Sequence, residues 1–564
     1  MTQLKTKTLR NLLERSIEQY SEWPALAFVG QRPITYKSLG LQVHSLSDML
    51  HSKGIVHGDR VAILSENMPN WAVAYFAIMY IGAVAVPILT DFHSSEISHI
   101  LRQSGAKGLF VSKKMLDKLN EEEVQDISLK IIIDDFSVTA PETTMEKLKD
   151  ILREGGREYA KFKERAERAA GIIKNEVGED DLASIIYTSG TTGHSKGVML
   201  THLNLVSNAI SSGNVQPVDS SDRFLSILPL SHTYENTIGL ILPLMNGACI
   251  YYLDKPPVAR VLIPAMKQVK PTFMLTVPLI IEKIYKSKIA PKLNQKGVLG
   301  SLVRVPFFRK QLSKLMGKKL MESFGGSLKF FGIGGAPLAP ETEHFLREAG
   351  FPYAIGYGLT ETSPLIAGCA PSKTKFRSTG PAVSDVRIRI DNPDPVTGEG
   401  EIVVKGPNVM KGYYKDPDRT KEVFTKDGWF RTGDLGVMDP DGYLFIKGRL
   451  KNMILGPSGE NIYPEEIEAH LNENEYVLES LVYKQDDKIV ARVHLNYEFI
   501  DKTITKERLS ESKMHEMINE LLESIKEKVN KRVSRYSRIH LIIEQPEPFE
   551  KTPTKKIKRY LYIN

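Results

Sequence analysis

Residues Tyr187–His202 read YTSGTTGHSKGVMLTH. They follow ASIIY, so Ala183–Ser189 is a predicted strand that runs straight into a loop. The loop holds four hydroxyl side chains (Thr188, Ser189, Thr191, Thr192), two glycines (Gly190, Gly193) and Lys196. Glycine allows close backbone approach to a phosphate, and consecutive N–H groups can cradle its oxygens. The hydroxyls and the amine add donors, so the loop suits a polyphosphate. It is not a Walker A loop, which needs Gly before the Lys where Ser195 stands. P-loop ATPase or GTPase chemistry is therefore disfavoured.

Working outward, further strands are predicted at Arg60–Leu64, Gly108–Val111, Lys130–Asp134 and Leu328–Gly335, with helical segments between several of them. Strands alternating with helices imply an α/β architecture with largely parallel sheets. Leu9, Leu12, Leu13 and Ile17 mark an amphipathic helix near the start, and residues 155–180 read as a charged surface helix. After Gly406 turn residues crowd together in YYKDPDRT, TKDGW and MDPDGY, which predicts hairpins in a small β-rich lobe. Beyond Arg449, strands are predicted at Ser480–Gln485, from Lys488 onward, and at Arg538–Glu544. A helix between the last two places Met514, Met517, Ile518, Leu521, Leu522, Ile525, Val529 and Val533 on one face. The expected plan is a large multi-lobed N-terminal domain (1–449) with α/β sheets flanked by helices, and a smaller α+β C-terminal domain (450–564). No internal repeat or low-complexity tract interrupts it.

Composition narrows the class. The 564 residues are 41% hydrophobic and 25% charged, which excludes wholesale disorder. Two cysteines cannot form a disulfide framework and point to a reducing compartment. The start carries no secretory h-region, so a cytoplasmic location is expected. Trp71–Thr90 is free of charge and nearly long enough to span a bilayer. Gly82, the later β-branched residues and Pro87 instead predict a buried helix followed by a short strand.

The net charge of +7 is uneven: Lys283–Lys319 holds eleven Lys/Arg and no acid, so without it the rest would stand at −4. Within it Phe308, Leu312, Leu315, Met316 and Leu320 recur at helical spacing between Arg309, Lys310, Lys314, Lys318 and Lys319. Such a helix can lie on the anionic inner face of a membrane, or can bury its apolar face and solvate the basic one. Nothing marks a nucleic-acid binder. No Ser-His-Asp order or Cys-x-x-Cys marks a hydrolase or redox enzyme.

YTSGTTGHSKG resembles the signature of the adenylate-forming superfamily, which includes the acyl-CoA synthetases. The resemblance recurs in order at GYGLTET (356–362), WFRTGD (429–434), GRLKNMILGPSGENIYPEEIE (448–468) and TPTKKIKR (552–559). LPLSHTYE (228–235) and the terminal motif are most similar to the long-chain fatty-acid–CoA ligases.

The reaction this implies joins a carboxylate to the AMP part of ATP with loss of pyrophosphate, then gives the acyl group to the CoA thiol. AMP is a good leaving group where oxide is not. Two anions must meet, so positioning and charge neutralisation carry the catalysis. The resemblance implies Mg²⁺, with ATP and CoA as co-substrates and a fatty acid as the third partner. Thr188 and Glu361 would be the metal ligands, although a carboxylate after Thr also serves as a helix-start group. Tyr357 would face adenine, next to Gly358 and opposite Gly335 and Ala336 of the GGAP loop (334–337). Thr360 would reach the α-phosphate, and Asp434 with Arg449 the ribose.

Lys556 would bridge carboxylate and phosphate during adenylation. Many members of the superfamily have Gly before this lysine, where this chain has Lys555. Lys451 would be the hinge about which the C-terminal domain rotates, and the loop around Gly459 would then admit the thiol. His232 would lie between nucleotide and acyl tunnel, or would be an ordinary hydrogen-bonded core histidine. An acyl-carrier-protein acceptor or an aryl acid would use the same first step. A binding protein with a decayed site would lack Lys196, Thr360, Glu361, Asp434, Arg449 or Lys556, and none is missing. Acyl-chain length and oligomeric state stay open at this level.

Overall fold

The computed structural model describes residues 4–119, 124, 126–139, 176–188, 195–293, 305–455, 461–486, 488–503, 511–552 and 556–563. Two large sheets dominate. One has seven strands in the order Tyr353–Ile355, Phe330–Ile333, Phe273–Thr276, Arg223–Ser226, Cys249–Tyr252, Pro24–Phe28 and Ile34–Thr35, and only the last pair is antiparallel. The other has eight: Gly412–Tyr413, Lys196–Thr201, Leu182–Thr188, Val84–Ile88, Arg60–Leu64, Gly108–Val111, Leu129–Ile132 and Ser137–Thr139. Its middle is parallel and its ends antiparallel. Strands of parallel sheets are covered on both faces, which is why RVAIL and GLFV read as continuous apolar runs.

The charge-free run is resolved as predicted. A helix over Pro69–Tyr80 is followed by Gly82 at φ +75° and the strand Val84–Ile88. Every residue from Trp71 to Tyr80 is buried. Among the described residues no helix is long and apolar enough to cross a membrane.

A four-stranded antiparallel sheet (Arg387–Asp391, Gly400–Lys405, Phe430–Met438, Leu444–Arg449) forms the β-rich lobe. It begins before Gly406, earlier than the turn-rich texture indicates. YYKDPDRT is not a hairpin. Asp416 caps a short helix, Pro417–Glu422, through the Arg419 N–H, and Pro417 takes its first turn. The segment 155–180 lies outside the described residues up to 175.

The C-terminal unit packs the helices Pro464–Asn472 and Glu511–Asn530 on a three-stranded sheet, Val477–Gln485, Lys488–Leu495 and Leu541–Glu544. Ile518, Leu522, Ile525 and Val529 are buried there, as their spacing predicts.

The basic helix exists, over Pro306–Ser323, and buries only part of the apolar stripe that the spacing marks. Ser313, Met316, Gly317 and Leu320 face inward, and Gly317 is pressed against Ala349 of the helix Pro340–Ala349. Phe308 and Leu315 are exposed instead. Small residues permit the close helix contact, and this packing overrides apolar periodicity.

Candidate active site

The sheet topology gathers the predicted motifs. The segment Leu228–Glu235 with His232 follows the strand Arg223–Ser226. Gly334–Pro337 follows Phe330–Ile333, and Gly356–Thr362 follows Tyr353–Ile355. These three strands, with Phe273–Thr276 among them, are parallel and adjacent. Their loops therefore leave the same carboxyl edge, where open α/β sheets bind ligands. Gly335 turns with φ +86°, and Gly335 and Ala336 are exposed.

From the second sheet, Thr188 and Lys196 are directly paired across an antiparallel ladder, so their side chains share a face. The Lys196 ammonium donates to Glu361 Oε1 at 2.7 Å and to the Tyr413 hydroxyl at 2.7 Å. Tyr413 in turn donates to Glu361 Oε1 at 2.9 Å. Burial pushes the Glu361 carboxyl up, but the Lys196 charge and these hydrogen bonds prevail and hold it below the usual range. Half-buried Thr360 precedes it in the same short turn. The Thr188 hydroxyl is buried and has no partner among the described residues. A hydroxyl and a carboxylate that both neighbour Lys196 are hard oxygen donors, so the pair fits Mg²⁺, which usually takes one or two protein oxygens.

On the other side, Asp434 and Arg449 are register partners in the β-rich lobe. Arg449 Nε donates to Asp434 Oδ1 at 2.8 Å, and the buried Tyr357 hydroxyl donates to Oδ2 at 2.7 Å. A carboxylate has about four acceptor positions, so Asp434 keeps capacity for two ligand hydroxyls. Burial raises its pKa, opposed by Arg449, Tyr357 and Lys556.

Lys556 completes the cleft. The residue is exposed as a whole, while its ammonium end is crowded by protein groups. Desolvation and the Arg449 charge push its pKa down, while Asp434 and Glu361 oppose them. Burial and the Lys556 charge lower the His232 pKa to about 4, so this imidazole is neutral near pH 7. One lysine thus feels His232, Asp434, Arg449 and Glu361 together, from three separate parts of the chain.

Two participants escaped the sequence reading. Tyr413 lies 52 residues from Glu361 and bears no motif of its own; only the strand pairing of Gly412–Tyr413 with Val198 and Met199 brings it in. Arg559 anchors the segment that carries Lys556: its Nη2 donates to both oxygens of Glu468 at 2.6 Å, and Nη1 to the Val482 carbonyl at 3.0 Å. The guanidinium is thus held on a carboxylate through one nitrogen and on a backbone carbonyl through the other, which restrains it from two sides. Lys451 is exposed, in the turn Leu450–Asn452 directly after Arg449. Ser189, Gly190, Thr191, Thr192, Gly193 and Gly459 lie outside the described residues.

Loops from the carboxyl edge of a parallel sheet, together with Lys196, Glu361, Asp434, Arg449 and Lys556 in electrostatic reach of one another, suit a nucleotide-using transferase or ligase. The model of the AMP-binding enzyme family matches residues 13–414, and the chain belongs to that family. Among curated relatives, fatty acyl-CoA synthetase A of Dictyostelium discoideum is 27% identical over 93% of this chain and 83% of its own. A long-chain-fatty-acid–CoA ligase of Mycobacterium bovis is 29% identical over 80% of this chain and 75% of its own. A chloroplastic long-chain-fatty-acid–[acyl-carrier-protein] ligase of Arabidopsis thaliana is 26% identical over 99% and 85%. Among solved structures, o-succinylbenzoate CoA synthetase of Bacillus subtilis in complex with its acyl-adenylate intermediate aligns with TM-score 0.73 and 25% identity over 97% of both chains.

Proposed function

We propose that this protein is an AMP-forming long-chain fatty-acid–CoA ligase. What supports it is that Lys556 lies within electrostatic reach of His232, of the Asp434–Arg449 pair and of Glu361 in the Lys196–Tyr413–Glu361 cluster. The long-chain acid rests on what the curated relatives are named to act on.

In the first half-reaction a carboxylate oxygen attacks the α-phosphorus of ATP. A P–O bond forms to the acyl oxygen, and the bond to pyrophosphate breaks. Lys556 offsets negative charge between the carboxylate and the α-phosphate, and Thr360 donates a hydrogen bond there. Asp434 accepts from the ribose hydroxyls and Arg449 orients it. Tyr357, with Gly335, Ala336 and Gly358, borders the base. Lys196 and the loop 188–193 hold the β- and γ-phosphates. Thr188 and Glu361 would hold Mg²⁺, whose charge on the phosphates lowers the cost of bringing the acid close. In the second half-reaction the CoA sulfur forms the thioester bond, AMP leaves, and the thiol proton passes to solvent. Neutral His232 sits at the boundary between nucleotide and acyl chain without adding charge.

The division at 449/450, with Lys451 as hinge and the Gly459 loop admitting the thiol, belongs to the same proposal. So does a location inside the cell with peripheral contact to an anionic membrane through 283–319, because acids of this length partition into bilayers. A second reading keeps the chemistry and changes the acceptor to an acyl-carrier protein; the full-length match to the Arabidopsis ligase favours keeping it in view. The test is AMP release with a fatty-acid panel from short to very long, run in parallel with CoA and with carrier protein. Loss of signal for every acid overturns the proposal, and carrier-only activity selects the second reading.

A further inference from the structure

The helix Pro306–Ser323 leaves an outward face that its own fold does not use. Val305 is 45% exposed, Phe307 65%, Phe308 48% and Leu315 54%. The two phenyl rings stand edge to face at 5.6 Å. Two adjacent exposed phenylalanines are uncommon, since each forgoes a large burial gain. At helical spacing, Phe307, Phe308 and Leu315 point away from the buried row Ser313, Met316, Gly317 and Leu320. Lys314, Lys318 and Lys319 share that outward side, Lys310 flanks it, and Glu322 is its acid at the far end.

Those lysines are uncommitted. Among the described residues Lys310, Lys314, Lys318 and Lys319 have no ion pair, whereas Arg309 is held by Glu348 at 3.6 Å. Their charge is not diluted nearby in sequence either, as the whole stretch 283–319 has no acid while the remainder of the chain is net negative.

From this juxtaposition we infer that the face Val305–Lys319 docks on an anionic lipid bilayer by inserting Phe307 and Phe308 at the headgroup boundary while the lysines hold lipid phosphates. Aromatic rings favour that boundary, and lysine stems can lie along apolar surface with the ammonium in water. An acidic protein partner would satisfy the lysines but would need a matching apolar pocket for the ring pair. A bilayer accommodates both without one. Charge alone would give contact that salt abolishes; the ring pair adds a component that salt does not screen. The inference gives the surface for the membrane contact in the proposed function, and its test does not use catalysis.

Flotation of the full-length protein with vesicles of phosphatidylcholine, with and without phosphatidylglycerol, decides it. The wild type binds the mixed vesicles and retains weaker binding at high salt. Phe307→Ser/Phe308→Ser lowers binding by at least about tenfold at both salt concentrations. Lys310→Glu/Lys314→Glu/Lys318→Glu lowers it by at least about a hundredfold at low salt. All five positions are exposed, so the thermal transition stays put in both variants, which excludes misfolding as the cause. Phe307→Trp, read by fluorescence, shifts to the blue on mixed vesicles. Wild-type binding by both multiple variants overturns the inference. So does absence of wild-type vesicle binding, with capture of an acidic carrier protein then pointing to a protein partner, or a change in oligomeric state on replacing the phenylalanines. AMP release with detergent-dispersed acid stays at the wild-type rate in both variants; if it is absent from the wild type as well, the proposed function fails and the docking result still stands.

Discussion

Replacing Lys556 by alanine separates the two half-reactions. The ammonium is crowded by protein with Asp434 and Glu361 in electrostatic range, yet no described carboxylate is close enough to pair with it. Its charge is therefore available for an incoming anion. At about 4 Å and an effective dielectric near 20, a unit charge pair is worth about 4 kcal/mol. That is roughly a thousandfold in rate if it is felt only in the transition state. Loss of a single preorganised donor gives a similar range, about 10²- to 10³-fold. The expected result is a fall of that size in acid-dependent exchange of pyrophosphate into ATP. Thioester formation from supplied acyl-AMP and CoA should change by less than about tenfold. The fold should not suffer, since the main-chain groups of Lys556 bond Thr552 without its side chain: Thr552 N–H donates to Lys556 O at 2.7 Å, and Lys556 N–H to Thr552 Oγ1 at 3.2 Å. Exchange within about threefold of wild type refutes the reasoning. Equal loss in both halves with an unchanged melting temperature refutes the division of roles.

Other expectations follow from neighbouring geometry. Because burial and Arg449 depress the Lys556 pKa, adenylation should fall at a pH below that at which an exposed lysine deprotonates, and Lys556→Arg should move that alkaline limb upward in a pH–rate profile. Tyr413→Phe removes a hydroxyl that binds both Lys196 and Glu361, and Thr188→Val removes a proposed metal ligand. Each should raise the Mg²⁺ concentration for half-maximal exchange by about tenfold, and an unchanged Mg²⁺ titration counts against the fit. Gly358→Ala would put a Cβ 1.9 Å from the Pro364 carbonyl oxygen, so thermal unfolding should report a loss of at least about 1–3 kcal/mol. Buried His202 accepts the Leu9 N–H at 3.3 Å, and burial lowers its pKa to about 4. The unfolded chain takes up this proton below about pH 6.5 while the folded one resists to about pH 4, so stability falls as pH drops through that window, by on the order of 3 kcal/mol. His202→Gln should flatten that slope in pH-dependent melting, and parallel slopes reject the assignment.

Much of this was legible from local pattern. RVAIL and GLFV occupy the predicted strands residue for residue, and the charge-free Trp71–Thr90 stretch divides at Gly82 as its composition indicates. These segments are decided by burial on both faces, which a sequence records directly. The motifs that line the cleft were legible as phosphate-, ribose- and carboxylate-binding chemistry, but their meeting was not. Thr188 and Lys196 meet through a ladder, and Glu361 and Tyr413 meet through strand pairing across the fold. Apolar spacing groups Phe308 and Leu315 with Met316 and Leu320 and leaves open what they face; only the last two are buried, because Ser313 and Gly317 allow close approach to the helix Pro340–Ala349. In YYKDPDRT the Asp-Pro pair, which reads as a turn, opens a helix instead, because it serves either role equally well.

The Arg559 clamp on Glu468 and Val482 has a mechanical corollary. Lys556 is three positions from a guanidinium bolted to a helix and a strand of the same unit, so it has little freedom to swing out alone. Whatever withdraws this ammonium must carry its scaffold along, like a key that turns only with its bow. A break in the clamp, as in Glu468→Ala, would let the tip drift while the shaft stays folded.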